Sequence, residues 1–234
     1  MSLSAKQRVE QIVEHALCTG CGICQAVAGA GLIQVQKGTS GYLVPVVSDA
    51  MDHATADAIY RVCPGVHPVG LPSNLIATDS KVDNVWGPWR RMVRTWATDA
   101  HQRHIGATAG VLTALACHLL TTKQVDFILH AKPHSTEPSF GEMHVSTSPE
   151  EVLQGSGSRY GPTAPLIAID KVLERNQVFA FIGKPCDIAG LRNYAQEDER
   201  VDKLVRFWLT PVCGGYMPPA SIDAFYRRMG VEPE

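Results

Sequence analysis

The 234-residue sequence has no long apolar run, no marked excess of either charge, no internal repeat and no low-complexity tract. Its most apolar stretch, Gly110 to Leu120, is interrupted by Thr113 and His118 and falls short of the roughly 20 residues that cross a bilayer. No transmembrane segment is expected. Twenty-one Lys and Arg against 23 Asp and Glu give a formal net charge of −2, which offers no footprint for nucleic acid or an anionic membrane. The opening segment MSLSAKQRVEQIVEHALC lacks the unbroken apolar core of a secretory leader, so a cytoplasmic location is expected. The nine histidines are scattered without an H-E-x-x-H spacing, and none is assigned to a metal.

What is present is a globular composition, 45% hydrophobic and 19% charged, and seven cysteines. Seven is odd, and three of them crowd together, which a disulfide framework does not explain. Metal-ligating thiols in a reducing compartment fit better. Cys18-Thr-Gly-Cys21-Gly-Ile-Cys24 has the C-x2-C-x2-C spacing by which one short loop sets three thiolates on three corners of an iron–sulfur cubane. Gly20 and Gly22 allow the backbone to wind tightly there. The bacterial ferredoxin run would place a fourth Cys four residues later, where this chain has Ala28. The Cys63-Pro64 pair is the candidate that returns to close a [4Fe–4S] site. Structural zinc and unligated thiols remain alternatives, although an overlapping triple is awkward for a single tetrahedral ion.

Along the chain, Val9, Ile12, Val13, Ala16 and Leu17 lie at helical spacing. Strands are expected near Leu32–Val35 and Tyr42–Val46, and a helix over Ala50–Tyr60. A Pro- and Gly-rich linker then leads to strands at Met92–Ala97, Val125–His130, Glu142–Ser146, Val178–Ile182 and Leu204–Val212. These alternate with helices at Thr108–Leu120, Pro165–Glu174, Cys186–Tyr194 and Ser221–Met229. The pattern predicts an α/β fold, a largely parallel sheet with flanking helices, preceded by a small ferredoxin-like Fe–S module. Residues 1–80 are expected to form the module and 81–234 the α/β domain.

Three loops precede helices, where α/β folds bind ligands. The first runs from Gly106 through Gly110 to Thr113, with small residues that let a phosphate approach free N–H groups. A tightly packed buried helix is the plain alternative. The second, Gly155-Ser-Gly-Ser158-Arg159-Tyr160-Gly161, offers a guanidinium for a pyrophosphate and a ring for stacking. It matches neither the Rossmann glycine pattern nor a P-loop, and a surface loop would explain it as well. The third is Gly183-Lys184-Pro185-Cys186. A Cys at a helix N-terminus beside Lys184 is expected to have a depressed pKa, suited to a metal ligand or a redox thiol. Cys213 is expected beside it on a neighbouring strand end, and Cys117 inside a core helix.

The segments CTGCGICQAV, VCPG, ATAGVLTALACHLLTTKQVDFIL, GSRYGPTAPL, GKPCDIAGLRNYA and VCGG together resemble the family of coenzyme F420 hydrogenase/dehydrogenase beta subunits. Relatives of that family include chlorophyllide vinyl reductase and hydroxymethyl-chlorophyll reductase. The resemblance implies an iron–sulfur flavoprotein with at least one [4Fe–4S] cluster and FAD. It implies electron exchange with a ferredoxin or partner redox subunit, and a two-electron acceptor such as the deazaflavin coenzyme F420. By the same resemblance Thr108, Gly110, Thr113, Ser158, Arg159, Tyr160 and Lys184 line the flavin. Cys186 and Cys213 resemble half of a second cluster's ligand set. Family members continue past the equivalent of Glu234 with a further close Cys pair, so the chain is C-terminally short by comparison. A tetrapyrrole-type reductase, a non-catalytic electron-transfer fragment and a zinc-stabilised scaffold are the competing expectations.

Overall fold

A computed structural model of the chain describes residues 3–137, 139–215 and 217–231. Helix α1 (Ala5–Glu14) starts with a reciprocal cap, in which Ser4 Oγ accepts from the Gln7 N–H at 3.2 Å and Gln7 Oε1 accepts from the Ser4 N–H at 2.9 Å. The predicted periodicity runs on to Leu17, but Ala16 turns the backbone left-handed at φ 56° and the helix stops at Glu14. Helix α2 (Ile23–Ala28) follows the cysteine loop and was not predicted. Strands β1 (Ile33–Lys37) and β2 (Leu43–Val47) form an antiparallel hairpin. Helix α3 (His53–Val62) is capped by Asp52, which accepts the Thr55 N–H at 2.7 Å. Val9, Ile12, Ile33, Val47 and Ile59 form a small core, with Cys18, Cys24 and Cys63 packed at its margin.

The Pro- and Gly-rich stretch holds a short hairpin of β3 (Lys81–Asp83) and β4 (Gly87–Trp89). The strand expected at Met92–Ala97 is absent. Its apolar residues meet no partner strand, and the segment runs extended and exposed until Ala97, which donates to Ala109 O at 2.9 Å.

The larger part comprises α4 (Ala100–Ile105), α5 (Val111–Thr121), β5 (Phe127–Pro133), β6 (Gly141–Ser146), α6 (Pro149–Gln154), α7 (Ile169–Leu173), β7 (Phe179–Ile182), α8 (Pro185–Tyr194), α9 (Arg200–Leu204), β8 (Val205–Leu209) and α10 (Pro219–Arg228). Its sheet has the order β6-β5-β7-β8, with β5-β7 and β7-β8 parallel and β5-β6 antiparallel. The sheet is therefore mixed rather than largely parallel throughout. Only seven residues join β5 to β6, too few for the crossover that a parallel pair requires. The central strands bury both faces, as their unbroken apolar runs demand. Phe127, Leu129, Phe179 and Phe181 face Leu166, Ile169, Leu191 and Val201. Ile128 and Ala180 face the other way, onto Ala116, Cys117, Leu119 and Leu120 of α5 and Val152 of α6. Cys117 is core, as predicted.

The N-terminal part is not loosely tethered. Cys21, Ile23 and Val62 join the first-face core of the sheet. The Leu166 N–H donates to Cys21 O at 2.9 Å. Gly22, at φ 85°, sits against the Ile167 backbone, where an added Cβ would lie only 2.9 Å away. Among the described residues no helix is long and apolar enough to cross a membrane.

Candidate functional site

The structure gathers two groups of side chains. The first is a cavity lined by Cys18, Cys21, Cys24 and Cys63, with Ile23 and Ile59 among its apolar walls. The spacing of the first three and the return of Cys63 at the C-terminal cap of α3 bring all four cysteines to the lining of one cavity. The cavity is about 30 Å³ on a scale where one water takes about 10–15 Å³, so it is roomier than a water site. Burial dominates the chemistry. It pushes the Cys18 and Cys63 thiols up, Cys21 well up, and Cys24 up to about 12. The neighbouring thiols add to the rise on Cys18, Cys21 and Cys24. Backbone N–H groups oppose it: Gly20 at Cys18, Ile23 at Cys21, Gln25 at Cys24, and Gly65 and Val66 at Cys63.

Four thiols lining one apolar cavity make a donor set that an iron–sulfur cluster can use. Among the described residues no three His, Cys, Asp or Glu side chains are arranged to hold a single metal ion. A tetrahedral zinc needs its thiolates about 2.3 Å from one point, whereas a cubane takes each thiolate at a separate corner.

The Cys63 turn is held from the far side. Asn193, buried on α8, donates to Val62 O at 3.3 Å and His67 O at 2.9 Å. Gly65 packs on Leu17 O so closely that no side chain fits. Sequence reading missed Asn193; a polar residue on the buried stripe of an apolar helix was the available signal.

The second group gathers loops that the sequence separated. Thr108, Ala109 and Gly110 are consecutively left-handed, at φ 50°, 57° and 72°, and α5 begins only at Val111. This corrects the helix start expected at Thr108. Two non-glycine residues in that region are strain of the kind found at ligand clamps. The turn meets the glycine loop, since Thr113 Oγ1 lies 3.5 Å from Ser156 Oγ. Arg159 folds back onto its own loop, donating to Ser158 O at 2.9 Å and Ser156 O at 3.1 Å, while its buried Nε has no partner. Tyr160 presents an exposed ring, and its carbonyl accepts from the Met217 N–H at 3.1 Å.

Lys184 caps α8 and donates to Asp187 Oδ2 at 2.8 Å and Thr163 Oγ1 at 3.1 Å. Asp187 is buried, its Oδ1 has no partner, and burial holds its carboxyl above the usual range despite the Lys184 charge. The depressed pKa expected of Cys186 is not found. Burial raises the thiol, Asp187 raises it further, and the Lys184 charge that would lower it is shared with Asp187. Cys213 is near enough to add to the rise, but it lies exposed in a coil four residues past the end of β8, not on a strand end. Beyond burial, the Asp187 carboxyl also adds to the rise on the Cys21 thiol.

Comparison with known proteins adds an independent line. The family model for the N-terminal part of the coenzyme F420 hydrogenase/dehydrogenase beta subunit matches residues 92–170, and the model for its C terminus matches residues 176–234. The four-cysteine module thus lies before the matched stretch. A component of the F(420)H(2) dehydrogenase of Methanosarcina mazei is 23% identical over 189 residues, covering 79% of this chain. The chain spans about half of that relative, 50% of its length. Among solved structures, a chain of the F420-reducing [NiFe] hydrogenase complex from Methanosarcina barkeri superposes with a TM-score of 0.51 at 19% identity. That superposition covers 56% of this chain and 47% of the other, and shows a shared fold.

Proposed function

The chain belongs to the family of coenzyme F420 hydrogenase/dehydrogenase beta subunits, and we propose that it is the iron–sulfur and flavin-bearing portion of an electron-relay protein. It works between a one-electron carrier, either a ferredoxin or a partner redox subunit, and a two-electron acceptor such as coenzyme F420. The observation that carries this reading is the gathering of four thiols in one apolar cavity. A strained turn at 108–110, an orphaned guanidinium nitrogen on Arg159 and a lysine paired at the start of α8 add groups that a flavin could use.

In this reading residues 1–80 are a ferredoxin-like iron–sulfur module and 81–234 a flavin-binding α/β domain. Cys18, Cys21, Cys24 and Cys63 hold a [4Fe–4S] cluster, and the apolar wall around them keeps water from the sulfurs. Thr108, Gly110 and Thr113 present backbone and hydroxyl donors to FAD. Ser158 and Arg159 take its pyrophosphate, Tyr160 stacks, and Lys184 supplies positive charge at the start of α8. Cys186 and Cys213 offer two thiols to a second cluster whose remaining ligands come from outside the described residues. When bound, the cluster supplies single-electron transfer and FAD exchanges between one- and two-electron steps. Asp187 is tied to Lys184 at the start of α8.

An anaerobic reductive titration tests this. About three electrons per chain are expected, one for the cluster and two for the flavin. Cys63→Ser is expected to lower the count to about two while the flavin bands still bleach. A wild-type count that Cys63→Ser leaves unchanged would refute the assignment.

A further inference from the structure

Residues 68–96 form an arm in which no residue is buried. Both of its ends are fixed on the candidate site. At the start, the His67 N–H donates to Cys63 O at 2.8 Å, and His67 O accepts from Asn193 at 2.9 Å. At the end, buried Ala97 donates to Ala109 O at 2.9 Å and accepts from Arg103 at 3.0 Å. The arm is therefore strung between the turn of the fourth cysteine and the left-handed turn at 108–110.

Its surface is unlike that of the rest of the chain. It carries three of the four tryptophans, Trp86, Trp89 and Trp96, with Trp86 83% and Met92 89% exposed. Isolated exposed apolar residues are ordinary, but here Val82, Val85 and Val93 are exposed along the same arm. A groove runs along Leu71, Leu75, Ile76, Pro88, Trp89 and Arg91. Four cations, Lys81, Arg90, Arg91 and Arg94, face two carboxylates, Asp79 and Asp83, in a chain whose net charge is −2. Both carboxylates are engaged. Arg90 pairs with Asp79 at 2.8 Å, and Asp83 accepts the Val85 and Trp86 N–H groups at 2.8 and 2.9 Å. Lys81 stands over the Trp89 ring at 5.0 Å. Exposed Arg91 and Arg94 have no ion-pair partner among the described residues. Tryptophan with arginine is the composition that anchors protein interfaces. A lipid surface is a poorer match, because the arm is a hairpin and an extended run rather than an amphipathic helix, with few cations in surplus.

We propose that this arm is the docking surface for the one-electron carrier, a small protein with an acidic face. The cationic side chains steer it, the tryptophans seat it, and its landing place begins at the Cys63 turn. The proposal rests on the relay reading above, since it names the partner of that site.

The test is calorimetric binding of an acidic two-cluster bacterial ferredoxin to the anaerobically prepared chain, with iron and flavin assayed on the same sample. Arg91→Glu/Arg94→Glu is expected to weaken binding about tenfold, and rising salt to weaken the wild type in parallel. Trp86→Ala/Trp96→Ala, at exposed positions that leave the fold intact, is expected to speed dissociation. A double reversal elsewhere, Lys171→Glu/Lys203→Glu, is expected to change little. Failure of the ferredoxin to bind, affinity indifferent to the Arg91 and Arg94 reversals, or binding only to phosphatidylserine vesicles would overturn the proposal. Arm-dependent binding by a chain without iron would sustain the docking surface and sink the relay. Arm-independent binding by a fully loaded chain would do the reverse.

Discussion

His130 illustrates what single residues contribute to this fold. It lies buried on β5 opposite His144 of β6, with Nε2 2.8 Å from Ser146 Oγ and its ring edge-on to His144 at 5.7 Å. Gly155 packs on the ring where a Cβ would come within 2.9 Å of Nδ1. Burial, and then the His144 charge, push the His130 pKa down to about 4. The folded chain thus resists a proton that the unfolded chain accepts near the ordinary 6.5. The stability at stake is intact above about pH 6.5 and is lost as the pH falls towards 4, by up to about 3 kcal/mol. Urea unfolding of wild type and His130→Gln should therefore converge in stability on acidification, with the variant showing the shallower decline. Equal slopes would contradict this. The sequence reading left all nine histidines unassigned. Nothing local announced that His130 would be held neutral, because that depends on a strand pairing and on a glycine twenty-five residues away. The cysteines divide the same way. Cys18, Cys21 and Cys24 were legible from spacing and Cys63 from the following proline. The direction of the Cys186 shift was not, because it is set by how deeply Asp187 is buried.

At the scale of elements, α8 does most to join the two groups. Its first turn carries Lys184, Cys186 and Asp187, and its last carries Asn193, whose amide bridges two carbonyls flanking the Cys63 turn. Asn193→Ala leaves those carbonyls unpaired in a buried place and is expected to cost about 1–3 kcal/mol in urea unfolding. It should also speed the loss of visible absorbance in the presence of a chelator. Asn193→Asp keeps the shape but turns an acceptor onto both carbonyls, and should be the worse of the two. A variant with unchanged stability and chelator resistance would show that the turn holds itself. The short helices α6 (Pro149–Gln154) and α9 (Arg200–Leu204) were not predicted, whereas strands β5 to β8 and helices α5, α7, α8 and α10 were legible because apolar runs and caps are local signals. The strand at Met92–Ala97 was not, because an apolar segment needs a neighbour to become one, and this one lies open on the arm. The left-handed turn at Thr108 was likewise hidden. Only Gly110 signals positive φ, while Thr108 and Ala109 are held there by what packs around them.

At the scale of the whole molecule, the cysteine loop and the sheet share one core. Cys21, Ile23 and Val62 pack with Phe127, Phe179 and Leu191, so the thiol cavity is set by the α/β sheet as much as by its own loop. The alternating pattern had suggested two consecutive units joined by a linker. That long-range contacts such as Leu166 N–H to Cys21 O would fuse them was not readable from either segment alone. One helix, α8, touches the Cys63 turn through Asn193 and carries Lys184 of the proposed flavin site, and the central claim is that the chain holds both cofactors. The most direct test of that claim is the metal, sulfide and flavin content of the chain made anaerobically, read with its visible spectrum. The account predicts about four iron and four sulfide per chain, roughly one FAD, and a broad absorbance that dithionite bleaches. A folded chain that carries zinc, or no metal at all, would contradict it.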